Sequence, residues 1–354
     1  MTAPTRRTGR PAAEPPEERG IARDEVRLLV ARERGPLRHT TFRALPTALR
    51  RGDLVVVNTS DTEPAAVDGL RADGSAVTLH VSGPAPDDLH VVELRTPDGR
   101  TVTDGVAGES VHLPCGVVAA LVTGHPDPRA VSGSGPWRAR IPVAGGLRPW
   151  LACTGRPISS CGSPRWPLES YRTMFSRPEP EFGSAEMPSA GRPFTPEVLY
   201  GLRARGVGVA RLVLHAGLSS PAAGAAPLPE RYRVPPATAD AVNAAHAGGG
   251  RVVAVGATVA RALETVADPS GRVTAGAGWT HLLLGARRGP RVVDGLLTGW
   301  HDPAAAHLMA LLDAVAGARL VDRAYAAAVE HGYRWHEFGD SCLLLSTCPA
   351  HRVR

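Results

Sequence analysis

Residues 251–264 read Arg251-Val252-Val253-Ala254-Val255-Gly256-Ala257-Thr258-Val259-Ala260-Arg261-Ala262-Leu263-Glu264, and they decide the fold class. The run 251–255 reads as a strand, Gly256 ends it, and apolar residues then recur at helical spacing at Val259, Ala262, Leu263 and Val266. A strand, a glycine turn and a helix in direct succession are half of a repeating α/β unit.

The same form recurs on both sides. Upstream, Thr195 followed by Pro196 and Glu197 is an N-cap with proline at the first helical position, opening a helix that ends at Gly206. A strand follows over residues 207–214, with His215 at its end. Downstream, residues 291–297 predict a strand leading to His301, after which Asp302-Pro303 caps a helix stopped by Gly317. Nearer the N-terminus, residues 26–31 and 53–58 read as strands flanking a helical turn at 42–49, and Leu54-Val55-Val56-Val57 has the composition of a buried strand. No repeat of fixed period accompanies these repeating elements.

Between residues 63 and 152 the pattern changes to short alternating segments such as Ala76-Val77-Thr78-Leu79-His80-Val81, punctuated by Asp73-Gly74 and Asp98-Gly99. This is the rhythm of a small all-β barrel or sandwich. The organisation expected is a disordered tail at 1–20, a large α/β barrel-like domain from 21–62 and 153–345, an inserted β-barrel-like domain at 63–152, and a tail at 346–354. Residues 1–20 are assigned to a tail because Pro, Arg and Glu dominate them and few apolar groups offset the entropy of ordering.

The chain has 354 residues, 43% hydrophobic and 21% charged, which fits a globular protein. No apolar run approaches the roughly 18 residues that span a bilayer, and the N-terminus lacks the apolar core of a secretory signal. A cytoplasmic protein without membrane association is expected. Every basic residue is Arg, and neither Lys nor Gln occurs, so the net charge of +6 reflects GC-rich coding as well as any anionic partner. The five cysteines show no paired metal-binding spacing, so a metal is not expected, and their simplest reading is as buried small apolar residues.

In parallel α/β folds, chemistry collects at the C-terminal ends of strands. His215, the turn from Gly256 to Arg261, and His301 occupy such positions. Each has a plainer alternative: a core histidine for His215, a satisfied residue beside a helix for His301, and a surface i,i+3 ion pair for Arg261 and Glu264. The phosphate-loop, dinucleotide and nucleophile-elbow motifs do not occur.

At these same segments the sequence resembles the S-adenosylmethionine:tRNA ribosyltransferase-isomerase family of queuosine biosynthesis. The resemblance rests on Gly52-Asp53-Leu54-Val55 with Asn58, Tyr171-Arg172-Thr173, Pro188-Ser189-Ala190-Gly191 with Phe194-Thr195, and Leu214-His215-Ala216-Gly217-Leu218. It continues through residues 249–256 with Thr258, Arg261 and Glu264, then Asp294-Gly295-Leu296-Leu297-Thr298, His301 and Phe338-Gly339-Asp340. The order is kept from about residue 25 to 345.

The resemblance implies a large α/β domain carrying an inserted barrel. It also implies a reaction in which the ribosyl part of S-adenosylmethionine, used as a substrate and without a metal, passes to a deazaguanine base in tRNA, releasing adenine and methionine. It carries over His215, His301, Arg261, Glu264 and Asp340 as catalytic candidates. As substrate-binding candidates it carries over Asn58, Tyr171, Thr173, Ser189, Ala190, Gly191, Phe194, Thr195, Gly217, Gly256, Thr258, Asp294 and Thr298.

The sequence also departs from the family. Where the family reads N-D-T-R-V-I-P-A-R, this chain has Asp61 and Ala66 in place of two arginines. Arg192-Pro193 replaces L-H before Phe194, and Gly299 with Ala305 replaces an Asn and a Ser around His301. The segment after Leu218 also differs, reading Ser219-Ser220-Pro221. The lost arginines predict weak, poorly specific tRNA binding. Two alternatives therefore stay open: a paralogue using or cleaving S-adenosylmethionine with a small-molecule acceptor in secondary metabolism, and a non-catalytic RNA-binding relative.

Overall fold

Leu54-Val55-Val56-Val57 lies at the middle of a nine-stranded sheet and is buried on both faces. Leu54 and Val56 point into one apolar layer and Val55 and Val57 into the other, which is why four successive apolar residues are needed here. The computed structural model describes residues 6–85, 87–133, 135–159, 166–178, 182–218 and 228–346.

Across the sheet the strands are Gly276–Thr280, Glu230–Val234, Gly208–Leu214, Leu54–Asn58, Val252–Val255, Gly295–Gly299, Ser341–Leu345, Arg27–Arg32 and Arg38–Thr41. Four neighbours, Gly208–Leu214 through Gly295–Gly299, run parallel, and the strands at both margins are antiparallel to theirs. The fold is therefore α/β, and its large sheet is open instead of closed into a barrel. Helices Pro236–Ala247, Ala257–Thr265, Ala306–Ala316 and Ala318–Glu330 cover one face, and Pro196–Ala204 helps cover the other.

The capping expected at Thr195 is present: its side chain accepts from Val198 N–H at the start of Pro196–Ala204. Two boundaries differ from expectation. The strand predicted at 291–297 is Gly295–Gly299, because the N–H groups of Arg291, Val292 and Val293 turn to the Glu264 carboxylate instead of a strand ladder. The helix predicted from Asp302-Pro303 begins at Ala306, since Asp302 closes a local turn onto Ala304 N–H.

The barrel is six-stranded, antiparallel and closed, in the order Val118–Gly124, Trp137–Arg140, His90–Arg95, Ala76–Pro84, Ala66–Arg71 and Ser110–His112. Val67, Val77, Leu79, Val81, Val92 and Leu94 fill it, and helix Leu147–Thr154 seats Trp150 and Leu151 against the same core.

Residues 6–20 depart from the expected disorder. Arg10–Pro11 pairs in parallel with Arg334–Trp335, Ala12 is fully buried, and Arg6 bridges Asp313 and Asp322. Low average hydrophobicity misled here because a few residues at strand spacing carry the contact. The tail beyond residue 346 and Cys161 and Cys348 lie outside the described residues. Cys342 is buried as expected of a small apolar residue, whereas Cys115 and Cys153 are exposed. No helix among the described residues is long and apolar enough to cross a membrane.

Candidate active site

The parallel strands Gly208–Leu214, Leu54–Asn58, Val252–Val255 and Gly295–Gly299 end on the same side, delivering His215, Ser60, Gly256 and His301 to one region. A cleft of about 810 Å³ opens there, between these strand ends and the outer wall of the barrel. Tyr171, Ser189, Ala190, Gly217, Gly256, Thr258, Arg261, Thr298 and His301 all line it.

Two glycines are required by this geometry. Gly256 has φ +90°, and an added Cβ would lie 3.4 Å from Ala190, so the strand-to-helix turn takes glycine. A Cβ on Gly217 would meet Ser82 Oγ of the barrel at 2.7 Å, so the loop after His215 can approach the barrel only without a side chain.

His301 sits with Nε2 2.9 Å from Thr298 Oγ1. Burial pushes its pKa down to about 4, aided by neighbouring His336 and His307, so the ring is neutral near pH 7. His215 is held from behind by a hydroxyl chain. Ala216 N–H donates to Ser184 Oγ at 2.9 Å, the Ser184 hydroxyl donates to Ser60 Oγ at 2.7 Å, and Ser60 Oγ lies 2.8 Å from His215 Nδ1. This hydroxyl chain fixes the His215 ring behind the cleft, whose lining includes the next two residues, Ala216 and Gly217, but not His215 itself.

Arg261 and Glu264 are not a surface pair. They are 7% and 2% exposed, and each has its own partners. Arg261 bonds the Glu230 carboxylate through Nη1 and the Leu282 carbonyl through Nε at 3.1 Å. Glu230 in turn accepts Gly217 N–H at 3.1 Å. Burial raises the Glu230 pKa, and the Arg261 charge opposes that rise. The ion pair thus ties helix Ala257–Thr265 to the loop carrying His215. Glu264 accepts the Arg291, Val292 and Val293 N–H groups and the Arg288 guanidinium, does not line the cleft, and fixes the segment before Gly295–Gly299.

Several other candidates lie away from the cleft. Asp340 accepts Arg27 N–H and Arg334 N–H, each at 2.8 Å, in a small crevice that adjoins the cleft through Ser189, Ala190 and Gly299 without itself lining the cleft. Asp294 sits at the opposite end of the sheet, taking Val252 N–H at 2.9 Å and His246 Nε2 at 3.1 Å. Asn58 spans two strands through the Leu214 N–H and carbonyl. Thr195 is the helix cap already described, and Phe194 packs edge-on against Phe42 and Phe175 in the core. Thr173 accepts Phe175 N–H in a local turn, with Gly191 packed against it. These residues build the site's frame.

The two residues that stand in place of the family's arginines are both buried. Asp61 is 4% exposed and takes both Arg172 Nε and Nη2 at 3.0 Å, while Ala66 is fully buried in a barrel strand. In this chain neither side chain presents a positive charge there; Asp61 is occupied by Arg172, and Ala66 stands opposite His80 on the outward face of the barrel strand. The replaced segment at 219–221 lies outside the described residues. Glu230, Ser60, Ser184 and His80 reach or support the site without having been singled out in the sequence. Glu230 precedes an Arg-Tyr-Arg strand of no clear periodicity, and only the fold brings it to Arg261. Among the described residues no group of three or more His, Cys, Asp or Glu is placed to share a metal ion.

The chain matches the family described as "Queuosine biosynthesis protein" over residues 8–344. It is 36% identical to the S-adenosylmethionine:tRNA ribosyltransferase-isomerase of Moorella thermoacetica over 343 residues, 91% of this chain and 94% of that protein. It is 35% identical to the protein of the same name from Acidiphilium cryptum, over 94% and 95% of the two chains. The crystal structure of the S-adenosylmethionine tRNA ribosyltransferase of Thermotoga maritima superposes with a TM-score of 0.51 at 25% identity, covering 95% of this chain and 96% of that one.

Proposed function

This chain belongs to the queuosine biosynthesis protein family, and from that membership we propose that it is an enzyme transferring the ribosyl part of S-adenosylmethionine to a deazaguanine base in tRNA, releasing adenine and methionine. The observation that carries this reading is the cleft at the ends of four parallel strands, lined by family-matched residues and walled by the barrel.

The chemistry suits the groups present. The positive sulfur of S-adenosylmethionine acidifies the neighbouring C5′ protons, and charge then develops as the sugar opens, so the site needs proton acceptors and hydrogen-bond donors. His301 is uncharged and held by Thr298, an acceptor that does not repel a sulfonium. His215, held through Ser60 and Ser184, anchors the loop that brings Ala216 and Gly217 to the cleft. Arg261 and Glu230 act by positioning, since their charges are spent on each other. Tyr171, Ser189, Ala190, Gly217, Gly256, Thr258 and Thr298 form the substrate walls. Asn58, Thr173, Gly191, Phe194, Thr195, Glu264, Asp294 and Asp340 support them.

On this reading the protein works in the cytoplasm on tRNA and without a metal. The relatives bear the tRNA-directed name, and no observation favours a small-molecule acceptor. The test is to incubate the protein with S-adenosylmethionine and either deazaguanine-modified tRNA or no acceptor, and to follow adenine, methionine and RNA mass. Acceptor-dependent release with a ribosyl mass gain supports the reading. Release that ignores the RNA, or none, refutes it.

A further inference from the structure

The outer face of the barrel toward the cleft is not an ordinary solvated face. Along strand Ala76–Pro84, Leu79 and Val81 enter the barrel core, so Thr78 and His80 point outward. Across the ladder, Arg95 stands opposite Thr78 and Glu93 opposite His80. On the other side Asp68 stands opposite Thr78 and Ala66 opposite His80, and Arg156 bridges to Ala66. The result is a polar row across neighbouring strands, of which Thr78, His80, Arg95 and Arg156 line the cleft.

The charges in this row are paired within it, although Glu93 Oε1, Arg95 Nε and Arg156 Nε are buried without a hydrogen bond among the described residues. Arg95 pairs with Glu93 at 2.7 Å and Arg156 with Asp68 at 2.6 Å. His80, half-buried between these pairs, makes no hydrogen bond through its ring nitrogens to the described residues. A half-buried ring whose nitrogens have no partner among the described residues is left to water or to a bound group, and the cleft places a ligand within its reach. Burial, with the Arg95 and Arg156 charges adding to it, lowers its pKa to about 3, so the ring stays uncharged.

We propose that His80 is a substrate-binding residue, the side chain by which the barrel hydrogen-bonds a neutral hydroxyl or ring N–H group of the substrate in the cleft. A phosphate or carboxylate is disfavoured because both flanking guanidiniums are engaged by carboxylates. A cationic sulfonium is tolerated because the row carries no net charge. The inference rests on the ribosyl-transfer reading, and it makes the inserted barrel a wall of the substrate site as well as a scaffold. The neutral group has two sources: the ribosyl hydroxyls of S-adenosylmethionine, or the edge of a base in the RNA.

The experiment measures kcat and KM for S-adenosylmethionine and for deazaguanine-modified tRNA with the full chain, His80→Ala and His80→Asn. One lost hydrogen bond predicts a rise of about tenfold in a single KM for His80→Ala, with kcat little changed and partial recovery in His80→Asn. A rise confined to S-adenosylmethionine identifies the hydroxyl, and one confined to tRNA identifies the base edge. Unchanged KM values for both, in a protein that turns over, overturn the proposal while leaving the activity intact. If the variants do not fold or the wild-type chain shows no turnover, nitrogen NMR of its histidine rings during titration with each substrate decides. A His80 ring signal that stays fixed with both substrates overturns the proposal, and a shift with either one supports it.

Discussion

Asp61 and Arg172 form a bidentate ion pair, Nε to Oδ1 and Nη2 to Oδ2, each at 3.0 Å, with the carboxylate buried and the guanidinium partly exposed. Two parallel charge-assisted bonds fix the arginine's plane and hold Tyr171-Arg172-Thr173 against the segment that leaves the central strand.

Asp61→Arg should therefore destabilise the protein, by about 3 kcal/mol, by placing two guanidiniums where one carboxylate stood. It should not tighten tRNA binding. Adding Arg172→Asp should recover part of the stability. Urea unfolding of the two single variants and the double variant, with filter binding of tRNA at several salt concentrations, checks this; tighter and more salt-dependent RNA binding by Asp61→Arg would show that the position faces a phosphate after all.

Arg261→Ala and Glu230→Ala should each cost about 3–5 kcal/mol, because each leaves a buried charge without its partner. Both should also lower turnover, since the pair anchors Gly217 beside His215. Replacing both together, Arg261→Met with Glu230→Leu, should regain stability without regaining activity. A double variant that is as active as the wild type would remove the pair from the site's function.

Stability should respond to pH through His301. Its folded pKa of about 4 lies below the ordinary 6.5, so the unfolded chain binds the extra proton first as pH falls. The wild type should thus lose up to about 3 kcal/mol relative to His301→Asn between pH 6.5 and 4, with no difference in slope above pH 7. Denaturant unfolding at stepped pH values measures it. Parallel curves for the two proteins across that window would show that the ring is charged or exposed in the native state.

Deleting residues 1–20 should destabilise the chain by about 3 kcal/mol or more. It removes the Arg6 bridges to Asp313 and Asp322 and strips Glu17 from Arg192, whose buried guanidinium it holds at 2.9 Å. Comparable unfolding midpoints for the full and shortened chains would reduce this segment to a loosely attached strand.

The α/β class, the central strand at 54–58, the glycine turn at 256 and the barrel texture were legible in the sequence, because local periodicity and backbone permissiveness depend on residues near one another. So was the placing of His215 and His301 at strand ends, which follows from element order alone. The family resemblance supplied the chemistry through collinear short motifs, but matching a motif did not separate groups that face the cleft from groups that build it. Asp294 and Asp340 match as well as His301 does, yet their carboxylates are used up by backbone N–H groups elsewhere.

What only the tertiary structure decided is which distant partner each polar side chain meets. Arg261 and Glu264 lie three residues apart on one helix, and spacing alone pairs them. The fold instead brings Glu230 to the one and the 288–293 segment to the other. His80 alternates outward from its strand as the sequence requires, but only the docking of the barrel turns that outward face into a wall of the cleft. A buried charge takes whichever partner the packing places within reach, and that distance is set by the whole chain.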